Sequence, residues 1–131
     1  MASHILELQL RGDRTAPSEA RRALSECDPE LLPASLRSDV VLLLSELVSN
    51  AIKHARLMGG RVRIALARRD SILRVEVEDP GPCFDPAQAK PEEPGETDGG
   101  IGLVVVDRLA DRWGVEMREG RCLVWAELVT Q

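Results

Sequence analysis

The chain has no tyrosine, and its entire aromatic stock is Phe84, Trp113 and Trp125. Leu, Val, Ile and Ala must therefore build whatever core it has. This scarcity of aromatics comes with an acidic balance, 22 Asp plus Glu against 17 Lys plus Arg. Together they argue against a nucleic-acid binder, which needs a basic footprint and stacking platforms. Long apolar runs are also missing. The longest, Val40 to Leu44, falls far short of the roughly 20 residues of a membrane-spanning helix, so no membrane segment is expected. The opening Met-Ala-Ser-His lacks the positive head and apolar stretch of a secretory leader, and the expected compartment is the cytoplasm. Cys27, Cys83 and Cys122 are odd in number and widely spaced, unlike a disulfide framework or a metal knuckle. With only His4 and His54 beside them, a zinc site is not expected. A length of 131 residues fits one domain spanning the whole chain.

What is present is periodicity. Ile5 to Leu10 alternates as a half-buried strand. Thr15 or Ser18 can cap a helix running to about Cys27, where Asp28-Pro29 stops it. A longer helix over about 35–55 carries Leu36, Val40, Leu43, Leu44, Leu47, Val48, Ala51 and Ile52 at the spacing of an inward stripe. Gly59-Gly60 ends that segment. Val62, Ile64 and Leu66, then Leu73, Val75 and Val77, alternate with polar neighbours as two strands separated by an Arg69-Asp70 turn. From Pro80 to Gly100 come five prolines, five acids between Asp85 and Asp98, and no hydrophobic period. A structureless stretch of that length in a small domain is usually functional or disordered. Residues 101–112 read as a helix despite the β-branched Val104-Val105-Val106. Strands over about 115–118 and 122–128 pair across Glu119-Gly120.

Three places break this pattern. Glu46, Asn50 and Lys53 fall at i, i+4 and i+7 on the long helix and share one stripe. Taken alone, that stripe is also what a solvated face with ordinary i,i+4 pairs looks like. Read for chemistry, it offers a carboxylate for a hydroxyl proton, a neutral oxygen for Mg²⁺ and an ammonium for a phosphate. Asp79 continues the parity of Leu73, Val75 and Val77 and should point where they point. A carboxylate there either starts the Asp79-Pro80-Gly81 turn or is a buried acceptor for a group such as an adenine amine. Finally, Gly99-Gly100-Ile101-Gly102-Leu103 precedes the last helix, either as a flexible helix start or as an anion cradle.

Read jointly, Leu44-Ser-Glu46-Leu-Val-Ser-Asn50-Ala-Ile-Lys53-His54-Ala55, Glu78-Asp79-Pro80-Gly81-Pro82 and Gly99-Gly100-Ile101-Gly102-Leu103 resemble, in order and spacing, the three ATP-site boxes of the GHKL superfamily. Arg108 to Gly114 and the closing Val124-Trp-Ala-Glu-Leu128 bring the resemblance closest to the single-domain branch of anti-sigma factor serine/threonine kinases. The resemblance implies an α/β (α+β) two-layer sandwich, a mixed, mostly antiparallel sheet with helices on one face, and ATP with Mg²⁺ as cofactors. It assigns Glu46 as catalytic base, Asn50 as Mg²⁺ ligand, Asp79 as the adenine-binding acid and Gly81 as the glycine beside the base. Gly100 and Gly102, with Ile101 and Leu103 between and after them, become the phosphate-side segment. Lys53 enters by its position in the first box. Residues 85–98 become the lid.

The branch implies a protein that holds a sigma factor and phosphorylates a STAS-type antagonist, acting without direct nucleic-acid or membrane contact. A homodimer is compatible with it. A nucleotide-binding module that sequesters its partner without phosphotransfer is the alternative. One departure stands out: the family often has a second glycine where this chain has Cys83. If that position demands positive φ, the loop there is strained.

Overall fold

The computed structural model describes residues 2–58, 60–81, 83 and 100–130. Five strands and three helices follow in the order β1 (Ala2–Arg11), α1 (Ala16–Ser25), α2 (Ala34–Met58), β2 (Arg61–Arg69), β3 (Ile72–Asp79), α3 (Gly100–Leu109), β4 (Arg112–Arg118) and β5 (Arg121–Val129). The strands form one sheet in the order β1-β2-β3-β5-β4. Each of its four pairings is antiparallel. This is the expected α+β fold, a sheet under a helical layer.

Period-2 alternation decides which face is covered. Val62, Ile64 and Leu66 of β2, Leu73, Val75 and Val77 of β3 and Val124, Ala126 and Leu128 of β5 are buried in one core cluster. The opposing stripe of α2, Val40, Leu43, Leu44, Leu47, Val48 and Ala51, closes on them. Fully burying one such Leu or Val stabilises by about 1.5–3 kcal/mol, so this helix–sheet contact is the main store of stability. α1 packs on β1 and α2, and α3 on α2 and β4.

The helix starts and turns follow local chemistry. α1 begins after Asp13, whose Oδ1 accepts the Thr15 N–H at 2.8 Å and the Thr15 hydroxyl. Thr15 stands at the cap position but makes no side-chain cap bond of its own. The Arg37 guanidinium donates to the carbonyls of Leu24, Cys27 and Leu32, tying the α1–α2 connection to α2. The β4–β5 hairpin turns on Glu119 and Gly120, with φ of 53° and 79°. Positive φ at both central residues is the two-residue turn that matches strand twist.

The boundary after α3 differs from expectation. The helix expected to reach residue 112 ends at Leu109, and Arg112 instead opens β4. The switch is fastened by tertiary contacts: Trp113 Nε1 donates to Asp107 Oδ1 at 2.8 Å, and the Asp111 N–H donates to the Glu127 carbonyl at 2.9 Å.

The sheet's other face carries no helix among the described residues and is covered by ion pairs. Arg63 reaches Glu7, Glu76 and Glu78, Arg74 reaches Glu76 and Glu127, and Arg121 reaches Glu78. Arg74 also stacks on the Trp125 indole, 4.6 Å from its centroid. A cleft of about 430 Å³ opens here between Gln9, Arg61, Arg63, Glu78 and Arg121. It lies on the far side of the sheet from the core-facing Asp79. No described helix is long and apolar enough to cross a membrane.

Candidate functional site

β3 ends with neighbouring carboxylates on opposite faces. Glu78 turns outward and binds Arg121 at 2.7 Å and Arg63 at 3.4 Å. Asp79 turns inward as parity requires, and it is 0% exposed. Its Oδ1 accepts the Gly81 N–H at 2.7 Å. Asp79 therefore starts the turn at Pro80, and its carboxylate is sunk into the core side, where such a group persists only when hydrogen-bonded. Gly81 is buried with it. Gly60, just before β2, lies so close to Pro80 that a Cβ there would sit 2.5 Å from Pro80 Cγ. The turn after Asp79 is thus braced by the start of the neighbouring strand.

The helical stripe lies on α2, which packs against both β3 and α3. The three sequence boxes therefore sit on α2 and on the two elements it contacts. Glu46 and Asn50 are half-buried and Lys53 is exposed. The Asn50 Nδ2 atom is buried and has no hydrogen-bond partner among the described residues. A buried amide donor left unmade costs about 1–3 kcal/mol. Such an atom marks a place where an incoming polar group gains what the apo protein lacks. A carboxamide can present either its NH₂ or its oxygen at one position, so Asn50 suits a phosphate oxygen or a cation equally. Among the described residues no group of three or more His, Cys, Asp or Glu could hold a metal ion, so a cation here would lean on Asn50 and on the ligand's own oxygens.

α3 begins at Gly100, so the backbone of Gly100, Ile101 and Gly102 forms its first turn, which contains no acid. Free N–H groups at such a terminus favour an anion. The side-chain surroundings of Gly100, Ile101 and Gly102 lie outside what is described. Leu103 is buried in the core side and offers the site only its backbone. Phe84 and the expected lid, residues 85–98, lie outside the described residues.

One expectation about cysteine is corrected. Cys83 and Cys122 form a disulfide, their Cα atoms 5.0 Å apart across a sequence separation of 39. Cysteine count and spacing could not show this, because Cys122 meets the segment after Asp79 only when β3 and β5 pair: Cys122 is the register partner of Asp79. The backbone angle on which the strain expected at Cys83 turns involves Pro82, which lies outside the described residues. Cys27, two residues beyond the end of α1, is a free thiol, and burial pushes its pKa up.

A buried carboxylate, an unpartnered amide and a glycine-led helix terminus on touching elements are a donor and acceptor set that fits a nucleotide with its cation. No curated protein matches the chain. The family model described as the histidine kinase-like ATPase domain matches residues 11–126, a span that takes in the α2 stripe, the Asp79 turn and the start of α3. The chain belongs to the histidine kinase-like ATPase domain family, the GHKL-type ATP-binding proteins.

Proposed function

We propose that this protein is a regulatory serine/threonine kinase of the anti-sigma type, working in the cytoplasm with Mg²⁺ and ATP. The observation that carries the nucleotide half of this reading is Asp79, a wholly buried carboxylate ending an otherwise apolar strand face. It serves as acceptor for the adenine amine, and the Gly81 N–H on its Oδ1 fixes its orientation. Asn50 helps hold the cation or a phosphate oxygen through its buried amide. Lys53 brings a positive charge to the same helix face, and the N–H groups at the start of α3 receive phosphate. Bound ATP supplies the phosphoryl group. Glu46 orients the incoming hydroxyl of a partner protein and takes its proton. The partners are a sigma factor and a STAS-type antagonist whose serine or threonine is the acceptor. A second copy of the chain is compatible with this assembly.

The test is thermal unfolding with and without Mg-ATP. At a hundredfold excess over Kd, ligand adds about 2.7 kcal/mol. With an unfolding entropy of roughly 2.1 cal/mol/K per residue, that raises Tm by roughly 10 °C. The shift should be present in wild type and lost in Asp79→Asn; an equal shift in both removes the adenine assignment. Glu46→Ala then separates the two functional readings. Retained ATP binding with loss of phosphotransfer supports the kinase. Wild type that binds ATP and transfers nothing to a STAS-type substrate supports the sequestering module instead.

A further inference from the structure

We infer that the Cys83–Cys122 pair is a reversible thiol–disulfide switch that sets the affinity of the nucleotide site; the inference rests on the nucleotide reading above. Its basis is placement. Cys122 faces Asp79 in the β3–β5 ladder, and Cys83 lies four residues beyond Asp79, past the turn that Asp79 itself closes through the Gly81 N–H. The bridge therefore returns the chain leaving the Asp79 turn to the strand beside Asp79. In the oxidised protein this turn is held at both ends, by β3 before it and by β5 after it. In the reduced protein the tie to β5 is gone, and among the described residues β3, the Asp79–Gly81 hydrogen bond and the Gly60–Pro80 contact hold it.

The surroundings suit both states. Cys122 is fully buried in the core cluster, where a free thiol packs as a small apolar side chain. Cys83 is half-buried at the edge of that core, so one sulfur of the bond is within reach of a small reagent while the other is shielded. The Cys83 sulfur lies 3.3 Å from the Glu116 carbonyl oxygen, an acceptor ready for the thiol hydrogen once the bond is broken. Cα atoms 5.0 Å apart allow the bridge to re-form without backbone movement.

The chemistry balances with a small thiol, R–SH, as reductant. Its thiolate attacks the Cys83 sulfur, the S–S bond breaks, and Cys122 leaves as a thiolate that takes up a proton. A second thiolate attacks the mixed disulfide, R–S–S–R departs, and Cys83 becomes a thiol. The small disulfide R–S–S–R drives the reverse reaction, taking two electrons and two protons from the pair. Loosening the turn means that a nucleotide must order it on binding. The cost is about one residue's backbone freedom, or about tenfold in affinity.

The experiment measures ATP binding by calorimetry on the full chain, reduced with dithiothreitol or oxidised with glutathione disulfide, with thiols counted by alkylation and mass spectrometry. The oxidised protein should expose one alkylatable cysteine, Cys27, and bind ATP about tenfold more tightly than the reduced protein. Cys83→Ser should bind like reduced wild type under both conditions, and Cys27→Ser should keep the full difference. Cys83→Ser is the main variant because Cys122 is buried and its replacement risks the fold. Equal affinities in the two states of wild type overturn the switch while leaving the nucleotide site standing. Three alkylatable thiols after oxidation, or a redox difference persisting in Cys83→Ser, also overturn it. ATP binding in neither state overturns the nucleotide reading and this inference together.

Discussion

Replacing Gly60 with alanine tests whether the approach of β2 to Pro80 holds the Asp79 turn in place. The added Cβ would lie 2.5 Å from Pro80 Cγ, 3.4 Å from Cδ and 3.5 Å from Cβ. Carbon atoms prefer about 3.5–4.0 Å, so the ring or the strand must move by about 1 Å. Gly60 does not occupy the left-handed region, and no conformational penalty of the alanine itself confuses the result. Overpacking of this kind costs about 1–3 kcal/mol. At roughly 2.1 cal/mol/K per residue, Tm should fall by about 4–11 °C. The movement passes directly to Asp79 and Gly81 on either side of Pro80, so ATP affinity should fall as well. A double-mutant cycle isolates the contact: Pro80→Ala removes Cγ and Cδ and leaves a Cβ at ordinary distance. On that background Gly60→Ala should cost less than about 0.5 kcal/mol, a coupling of at least about 0.5 kcal/mol between the sites. Additive losses of stability would refute the bracing argument.

Gly114→Ala should be destabilising for a parallel reason, because its Cβ would meet the Trp125 indole at 2.8–3.0 Å and displace it from under Arg74. A Tm drop of about 4–11 °C with altered tryptophan fluorescence is expected, and an unchanged Tm would count against the packing described. The Thr15 hydroxyl and N–H donate to Asp13 and hold its carboxyl below the usual range. A group depressed in the fold contributes stability above its ordinary pKa and loses that contribution as pH falls through the folded value. Asp13→Asn should therefore be less stable than wild type at neutral pH, with the two denaturation curves converging once pH is low enough to protonate Asp13; a difference independent of pH would refute this.

Much of the architecture is legible in the sequence because the core is aliphatic and strictly periodic. The alternation in β2 and β3 and the stripe on α2 are visible as written. The same alternation announces Asp79, a carboxylate where a valine belongs, and helical spacing announces Glu46, Asn50 and Lys53. What escaped depends on tertiary contact. The end of α3 is set by Trp113 reaching Asp107 within a charged stretch that has no apolar period to mark a boundary. The cysteine pair depends on the β3–β5 register, which joins residues 39 apart. The alternating Arg and Glu of the strands announce a polar face, but their partners become known only when the strands are laid side by side.

Glu78 and Asp79 are chemically almost interchangeable, and only the pleat of β3 tells them apart. One is neutralised by arginines on the open face, and the other is carried into the core side. The pleat is anchored at the opposite end of the strand, where Arg69 pairs with Ile72 around Asp70, held at a φ of 54°. A slip of one residue between β2 and β3 would exchange the two carboxylates and set the arginine-bound one facing the core. Which of the two acids faces the core is thus decided a full strand length away, by the turn at Asp70. Changes in the length of that turn could silence the site while leaving every residue in it intact.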